Sequence, residues 1–288
     1  MPQQVKPIQK ILFGSPGTGK SHKIRAIATS ELGIPFDNNT QMLSNTVKTV
    51  FHPEYTYADF MGKLLPLTQN NSVIYKFYPG HFLRVLGMAY QSLIEDNKEN
   101  YLLVIDELNR GNAAAIFGTV FQLLDRESDG WSSYEVDISE MELFGLLEAM
   151  QLKPISQNGI IEIEEYSTKI SYEKFFSQKA NKLKKVKNLN GARVCNLLEQ
   201  RQINIPQNLS IIATINTSDE SIYYLDSAFK SRWDWDYVNA PVGKFTEQDI
   251  PEVLREVKLI VDALDKGSWA YYIVGINELI KSNYQIIR

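Results

Sequence analysis

The sequence has little cysteine, little histidine and no long apolar run, and each shortage excludes a class of protein. The single cysteine, Cys195, excludes an internal disulfide framework and a cysteine-rich zinc site. The histidines, His22, His52 and His81, are scattered without the spacing of metal ligands. No stretch approaches the roughly 18 apolar residues of a membrane span, and there is no secretory leader, so we expect a cytoplasmic protein without membrane contact.

Charge and composition allow an ordinary globular protein. The formal net charge of −4 gives no hint of a nucleic-acid partner for the chain as a whole. A hydrophobic content of 44% is enough for a packed core. The length of 288 residues allows one large α/β domain, or one such domain with a smaller appendage.

Eight residues near the N-terminus have the pattern of a phosphate-binding loop. They are Gly14, Ser15, Pro16, Gly17, Thr18, Gly19, Lys20 and Ser21. An apolar run precedes them at residues 11–13 and an amphipathic stretch follows at residues 24–32, so the order is strand, loop, helix. A glycine-rich turn of similar composition is the alternative, and it is disfavoured because every fixed position of the motif is filled.

The chemistry of a bound polyphosphate explains these residue types. Glycines allow positive φ angles and a close approach of the backbone to anionic oxygens, and the following helix directs N–H groups to the same point. Lys20 supplies charge for the β- and γ-phosphates, and the Ser21 hydroxyl can ligate Mg²⁺. The loop therefore predicts binding of a nucleoside triphosphate with Mg²⁺.

Two carboxylates follow a second apolar run. Residues 101–105 are typical of a parallel strand buried on both faces, and Asp106 and Glu107 come where that strand ends. Because ligands of open α/β sheets bind at the carboxyl ends of the strands, we expect both side chains to meet the phosphate loop. Asp106 is predicted to hold Mg²⁺, directly or through water, and Glu107 to orient and deprotonate the attacking water.

Apolar alternation and periodicity predict the other elements of the chain. Strands are expected at residues 8–13, 47–51, 73–77, 209–215 and 231–238, and helices at 19–32, 81–94, 113–125 and 222–230. Residues 131–205 interrupt this pattern, and we expect them to form an insertion in a nucleotide-binding core of residues 1–240. After a boundary at residues 241–243, the stretch to residue 288 is expected to form a small helical lid.

The insertion is electrically polarised. Residues 135–165 contain eight acidic side chains and one basic one, whereas residues 174–193 contain seven basic side chains and no acidic one. A docking surface for nucleic acid or for a partner subunit is one interpretation. The favoured alternative is a solvated helical hairpin whose two halves attract each other.

Three pieces in this order resemble the AAA+ superfamily: the phosphate loop, the acidic pair and a strand that ends in Asn216. The resemblance implies an α/β P-loop NTPase core with a parallel sheet flanked by helices, and a helical C-terminal lid. It also implies that Asn216 acts as sensor 1, which helps to place the lytic water. Arg232 sits where the superfamily has the arginine that reaches the neighbouring subunit's γ-phosphate. The alternative for Arg232 is an ion pair with Asp234 or Asp236.

Finer features resemble the McrB-like AAA+ proteins, which are motor subunits of modification-dependent restriction systems. The similar segments are residues 51–60, 106–112 and 205–219. The sequence departs from the family's pattern where Ile215 and Ser218 replace a methionine and an alanine of its signature. Glu220 and the run 230–232 stand where arginines are usual, so only Arg232 inherits the finger role.

The McrB-like resemblance implies a ring of identical subunits, expected to be a hexamer, that hydrolyses ATP or GTP with Mg²⁺. It implies a stimulating nuclease subunit of the McrC type, with DNA contacted through that partner or the whole complex. A remodelling ATPase of the MoxR or dynein-related kind and a nucleotide-gated scaffold with little turnover are the alternatives. The chain begins just before the first strand, so we expect no DNA-reading domain before the core. It ends near the expected sensor 2 position, so the lid can be either complete or truncated.

Overall fold

A computed structural model describes residues 6–69, 72–157, 160–165, 168–217 and 223–239. The predicted lid, residues 241–288, lies outside the described residues. Within the described ranges, no helix combines the length and the apolar character that a membrane crossing requires.

Secondary structure follows the predicted order of strands and helices. The first half contains β1 Gln9–Gly14, α1 Lys20–Ser30, β2 Phe36–Asp37, β3 Met42–Leu43, β4 Thr46–Val50, α2 Tyr57–Phe60, β5 Gly62–Gln69, β6 Ser72–Pro79, α3 His81–Glu95 and β7 Tyr101–Asp106. The second half contains α4 Ala113–Phe117, β8 Val136–Asp137, α5 Glu140–Ala149, β9 Pro154–Gln157, β10 Ile160–Glu165, β11 Thr168–Ser171, α6 Tyr172–Lys185, α7 Leu189–Glu199, β12 Gln202–Ile203, β13 Leu209–Asn216, α8 Ser227–Lys230 and β14 Asp234–Tyr237. Short 3-10 helices, Leu108–Arg110 and Gly118–Leu124, lie on either side of α4.

A five-stranded sheet in the order β14-β1-β13-β7-β4 forms the centre of the fold, and all its neighbouring strands are parallel. Its inner strands β7 and β13 are buried and mainly apolar because helices cover both faces of the sheet. In register, Gly14 at the end of β1 lies opposite Asn216 at the end of β13. The predicted α/β fold with a parallel sheet flanked by helices is confirmed.

Alternate residues of β1, β7 and β13 enter two separate hydrophobic clusters. Ile11 of β1 belongs to the larger cluster, which includes α3, α7 and much of the insertion. Leu12, the next residue, packs with Ile24 and Ile27 of α1 on the other face of the sheet. This alternation fixes the register of β1, since a slip by one residue would exchange the two faces.

Two predicted helices are shorter than expected. The helix expected at residues 113–125 leaves α-helical geometry at Gly118, whose φ is 51° and where a Cβ atom would lie 2.9 Å from the Tyr57 ring. The chain continues as a 3-10 helix. The helix expected at residues 222–230 begins only at Ser227, because Asp226 accepts the Phe229 N–H at 2.6 Å and so caps it; residue 222 lies outside the described residues.

A β-hairpin that the sequence predicted only in part connects α2 to α3. Strand β6 covers the predicted arm at residues 73–77, and its partner β5 was not predicted. The sequence of β5 does not alternate between apolar and polar residues, so its pattern does not identify it as a strand.

The insertion packs on the core of the sheet domain. Its acidic part consists of α5 and an antiparallel sheet in the order β11-β10-β9, whereas its basic part consists of α6 and α7. The expected hairpin of an acidic and a basic helix is therefore wrong, because the acidic part contains a sheet and the two helices of the basic part pack against each other. Cys195 of α7 is buried in the same cluster as α3, and this burial raises the pKa of its thiol to about 12.

Tyr90 ties α3 to the segment that leads into β13. Its hydroxyl, which is fully buried, donates to the Asn204 carbonyl at 2.7 Å and accepts the Asn204 N–H at 2.9 Å.

Tyr90→Phe would leave both buried backbone groups without this partner, so we expect the free energy of unfolding to fall by about 1–3 kcal/mol. Urea unfolding measures the change. Tyr75→Phe, at a side chain that is 68% exposed, is the matched control and should change stability little. Equal stability of the two variants would contradict the structural role of Tyr90.

Candidate active site

The predicted phosphate loop lies between the end of β1 and the start of α1. Gly17 and Gly19 have φ angles of 76° and 87°, in the left-handed region that favours glycine. At Gly14 a Cβ atom would lie 2.6 Å from the Val238 carbonyl oxygen, so the close approach of β1 to the residue after β14 requires glycine. Each glycine of the motif thus has a specific structural reason: a positive φ angle at Gly17 and Gly19, and a close backbone approach at Gly14.

The loop is exposed except for Gly14 and Thr18, which are buried, and Lys20, which is half-buried. The Thr18 hydroxyl donates to the Ser15 carbonyl at 3.0 Å, which braces the loop from inside. Ser15, Pro16 and Gly17 are exposed, and so is Ser21 in the first turn of α1. An anion could therefore approach the loop from solvent and meet the N-terminal N–H groups of α1.

Lys20, Asn216 and Glu107 form one hydrogen-bonded series. The Lys20 ammonium donates to the carbonyls of Gly14 and Ser15 at 2.8 and 2.9 Å and to Asn216 Oδ1 at 2.5 Å. The Asn216 amide Nδ2 in turn donates to Glu107 Oε1. The structure thus brings together the predicted phosphate-binding lysine, the predicted sensor and the predicted base, which come from three separate parts of the chain.

Thr214 joins the two carboxylate residues, and sequence reasoning missed it. Its buried hydroxyl donates to Asp106 Oδ1 at 3.1 Å and accepts the Glu107 N–H at 3.1 Å. Glu107 has φ 57° and ψ 44°, a left-handed conformation that is uncommon for a residue with a side chain. The signal that could have identified Thr214 is a polar residue within the apolar run of β13.

The two predicted magnesium ligands line one cavity. Ser21 and Asp106 lie in the wall of a space of about 100 Å³, beside Lys48 and Gln41. A hydroxyl and a carboxylate suit Mg²⁺, which usually keeps several waters and takes further oxygens from substrate phosphates. Among the described residues, no group of three or more His, Cys, Asp or Glu side chains could hold a metal ion. One hydroxyl and one carboxylate fit Mg²⁺ that takes its other oxygens from a nucleotide and from water.

Arg232 lies away from the phosphate loop and the residues around it. Its main-chain carbonyl accepts a hydrogen bond at 2.5 Å from the side chain of Gln9, the first residue of β1, whereas the phosphate loop follows the last residue of β1. A strand of that length spans roughly 17 Å at about 3.3 Å per residue, more than an arginine side chain can reach. Arg232 therefore cannot contact a phosphate on its own chain's loop.

The Arg232 guanidinium is held by a different acid from the two expected. Its Nη2 pairs with Asp125 Oδ2 at 2.7 Å, Nη1 donates to the Ala228 carbonyl at 2.7 Å, and the group lies 4.2 Å from the centre of the Phe121 ring. The alternative of an ion pair with Asp234 or Asp236 was wrong. Asp236 instead pairs with Lys23 and Lys10, and mainly the hydrogen bond from Lys23 keeps the pKa of Asp236 below its ordinary value.

Comparisons with known proteins point to restriction systems. No family model matches the chain. It is 28% identical over 254 residues to the type II restriction enzyme BsuMI component YdiS of Bacillus subtilis (strain 168), which covers 81% of this chain and 57% of that protein. It is 31% identical over 124 residues to the type IV methyl-directed restriction enzyme EcoKMcrB subunit of Escherichia coli (strain K12). The aligned region covers 42% of this chain and 24% of that protein.

These sequence matches confirm the resemblance to McrB-like proteins, although the chain spans 57% of the first relative's length and 24% of the second's. Two solved structures with low sequence identity resemble the chain weakly. A crystallised ATPase candidate from Cytophaga hutchinsonii is 14% identical with a TM-score of 0.33, covering 88% of this chain and 46% of that one. The structure of C. elegans PCH-2 is 15% identical with a TM-score of 0.27, covering 81% and 35%.

Thr214→Val tests whether the Thr214 hydroxyl positions the carboxylates. Removing it takes one hydrogen bond from Asp106 and one from the Glu107 N–H, so we expect Mg²⁺-dependent nucleotide affinity or turnover to fall about 10–100-fold. A Mg²⁺ titration of fluorescent nucleotide binding, together with hydrolysis rates, measures this loss. Thr214→Ser should restore most of it. Thr49→Val, at another buried threonine of the sheet, is the control for a general loss of stability.

Proposed function

We propose, from the similarity of this chain to two restriction-system proteins, that it is the NTP-hydrolysing motor subunit of a McrB-like restriction complex. The hydrogen-bonded series of Lys20, Asn216 and Glu107 at the carboxyl edge of the sheet carries the proposal. An ammonium, a polar amide and a carboxylate at one edge of the sheet support hydrolysis of a phosphoanhydride, which uses a cation for the phosphates and a group that orients water.

Binding of the substrate uses the loop and its flanking residues. The backbone N–H groups of residues 14–21 and the Lys20 ammonium would bind the β- and γ-phosphates, in place of the carbonyl contacts that Lys20 makes in this structure. Ser21 and Asp106 would hold Mg²⁺. When bound, Mg²⁺ supplies positive charge that offsets the negative charge on the phosphate oxygens.

Hydrolysis is assigned to Glu107 and Asn216. The Glu107 carboxylate accepts a proton from water while the water oxygen forms a bond to the γ-phosphorus. The bond from that phosphorus to the bridging oxygen breaks, and the products are a nucleoside diphosphate and inorganic phosphate. Asn216 holds Glu107 in place through its amide, and the Asp106 to Thr214 hydrogen bond holds the neighbouring carboxylate.

Arg232 would act on the nucleotide of a neighbouring subunit. Its position at the amino end of β1, away from its own loop, supports a role in trans and hence assembly into a ring, which we propose to be a hexamer. To reach the neighbour, the guanidinium would have to leave Asp125 or share it.

The proposed complex includes a nuclease subunit of the McrC type, and the complex as a whole contacts DNA. Because Glu107 and Asn216 are both in place, a scaffold with little turnover is disfavoured, and no observation favours a MoxR or dynein-related remodeller.

Steady-state hydrolysis of ATP and of GTP with Mg²⁺ tests the proposed activity and identifies the base. We expect one nucleotide to be turned over by the wild-type chain, with specific activity that rises with protein concentration because subunits complete each other's sites. Glu107→Gln should abolish turnover and retain nucleotide binding, since it removes only the proton acceptor. Binding without hydrolysis of either nucleotide would favour the nucleotide-gated scaffold instead.

Mixing two inactive variants tests whether Arg232 acts in trans. Arg232→Ala alone should cut turnover by about 10³-fold or more and leave nucleotide affinity nearly unchanged, on the scale of known arginine fingers. Added Glu107→Gln protein, which keeps Arg232, should restore part of the activity because it completes the sites of the Arg232→Ala subunits. Arg84→Ala, an exposed arginine on α3, is the matched control and should have no effect. Failure of the mixture to exceed either variant would contradict a role in trans.

A further inference from the structure

Helix α6 carries a basic stripe on the face opposite its core contacts. Tyr172, Phe175, Phe176, Ala180 and Leu183 are its buried residues. The exposed residues Lys174, Gln178, Asn181, Lys182 and Lys185, here named the α6 stripe, fall within an arc of about 100° on the other side of the helix. They extend along about 16 Å of the helix axis. Every one of these side chains offers N–H donors and none carries negative charge.

The lysines of this helix are not neutralised inside the protein. Among the described side chains, those of Lys174, Lys182 and Lys185, and of Lys184 and Lys187 beside the stripe, form no ion pair. No described ion pair joins the acidic part of the insertion to its basic part. Direct ion pairs between the acidic and the basic part therefore do not explain the polarity of the insertion.

Among the described residues, no nearby acid forms an ion pair with the stripe. Glu164 of β10, a strand that packs against α6, lies opposite Lys169 of β11. Glu95, at the end of the α3 helix that contacts the turn after α6, accepts hydrogen bonds from Gln91 and Asn97. Glu173 lies on α6 itself but on another side of the helix. The α6 stripe therefore faces solvent with its positive charge intact.

Stability of the helix does not account for so many lysines. Cations in the last turn interact favourably with the helix dipole, but this effect needs only one or two of them. Lys182 and Lys185 are three residues apart, where like charges repel each other and destabilise a helix. A cluster that costs the free protein stability is expected to meet a negatively charged partner.

We infer that the α6 stripe binds the phosphate backbone of duplex DNA. Lysine and amide side chains are typical donors to phosphate oxygens. Protein interfaces, by contrast, are depleted in lysine and enriched in aromatic residues, methionine and arginine, which the stripe lacks. Phosphate contacts carry no sequence information, so we expect this contact to be independent of sequence. The chain would thus contact DNA by itself. This inference does not depend on whether the chain hydrolyses nucleotide.

The salt dependence of DNA binding tests the inference. Binding of the full chain to a labelled duplex of arbitrary sequence is followed by fluorescence anisotropy between about 50 and 200 mM salt. Each phosphate contact contributes about −0.9 to the slope of log K against log salt, so Lys182→Glu with Lys185→Glu should reduce the slope by about 2. We expect affinity at the lowest salt to fall at least about tenfold. The matched control is Lys98→Glu with Lys153→Glu, which changes the net charge equally at exposed lysines elsewhere and should alter the slope little.

Several outcomes would overturn the inference. They are no binding of the wild-type chain to duplex DNA, an equal loss in both charge-reversed variants, and equally strong competition by polyglutamate, which would indicate an acidic protein partner. Stronger competition by single-stranded DNA would overturn the assignment to a duplex. Circular dichroism checks that the charge-reversed variant is folded, and Lys182→Gln with Lys185→Gln, a milder change, should still lower the slope.

Discussion

The parallel pairing of β1 with β13 is the constraint on which the candidate site depends. It sets Gly14 opposite Asn216, so the loop after one strand and the amide at the end of the other meet at the same edge. Lys20 can then reach Asn216, and Asn216 can reach Glu107. A register shift of one residue would turn Asn216 to the other face of the sheet and break the series. Packing of alternate β1 residues into two clusters protects the register.

The insertion contributes to the same constraint. It lies in the chain between β7, which presents the two carboxylates, and β13, which presents Thr214 and Asn216. Its last segment is anchored to α3 through the two hydrogen bonds between Tyr90 and Asn204. The insertion is thus part of the support that aligns the two strands. Its basic helix can serve a separate surface because the buried side of that helix joins the common core.

Positive charge is distributed to three places with different surroundings. Lys20 is enclosed by carbonyl and amide oxygens at the loop, whereas Arg232 is held by Asp125 and the Phe121 ring at the other end of β1. The lysines of α6 have solvent around them. These surroundings correspond to three proposed partners: a nucleotide on the same chain, a nucleotide on a neighbouring chain, and the DNA backbone.

The sequence by itself determined the strands of the central sheet except their exact ends, the phosphate loop, the acidic pair and Asn216. These features are local: an apolar run marks a buried strand, and the polar residue at its end falls at the ligand edge of a parallel sheet. Only the tertiary structure decided the contacts of Thr214 and the choice of Asp125 as the partner of Arg232. It also decided that α4 ends at Gly118 and that the acidic part of the insertion folds as helix and sheet. Each of these depends on contacts between residues far apart in the chain, and no pattern within one segment encodes such contacts.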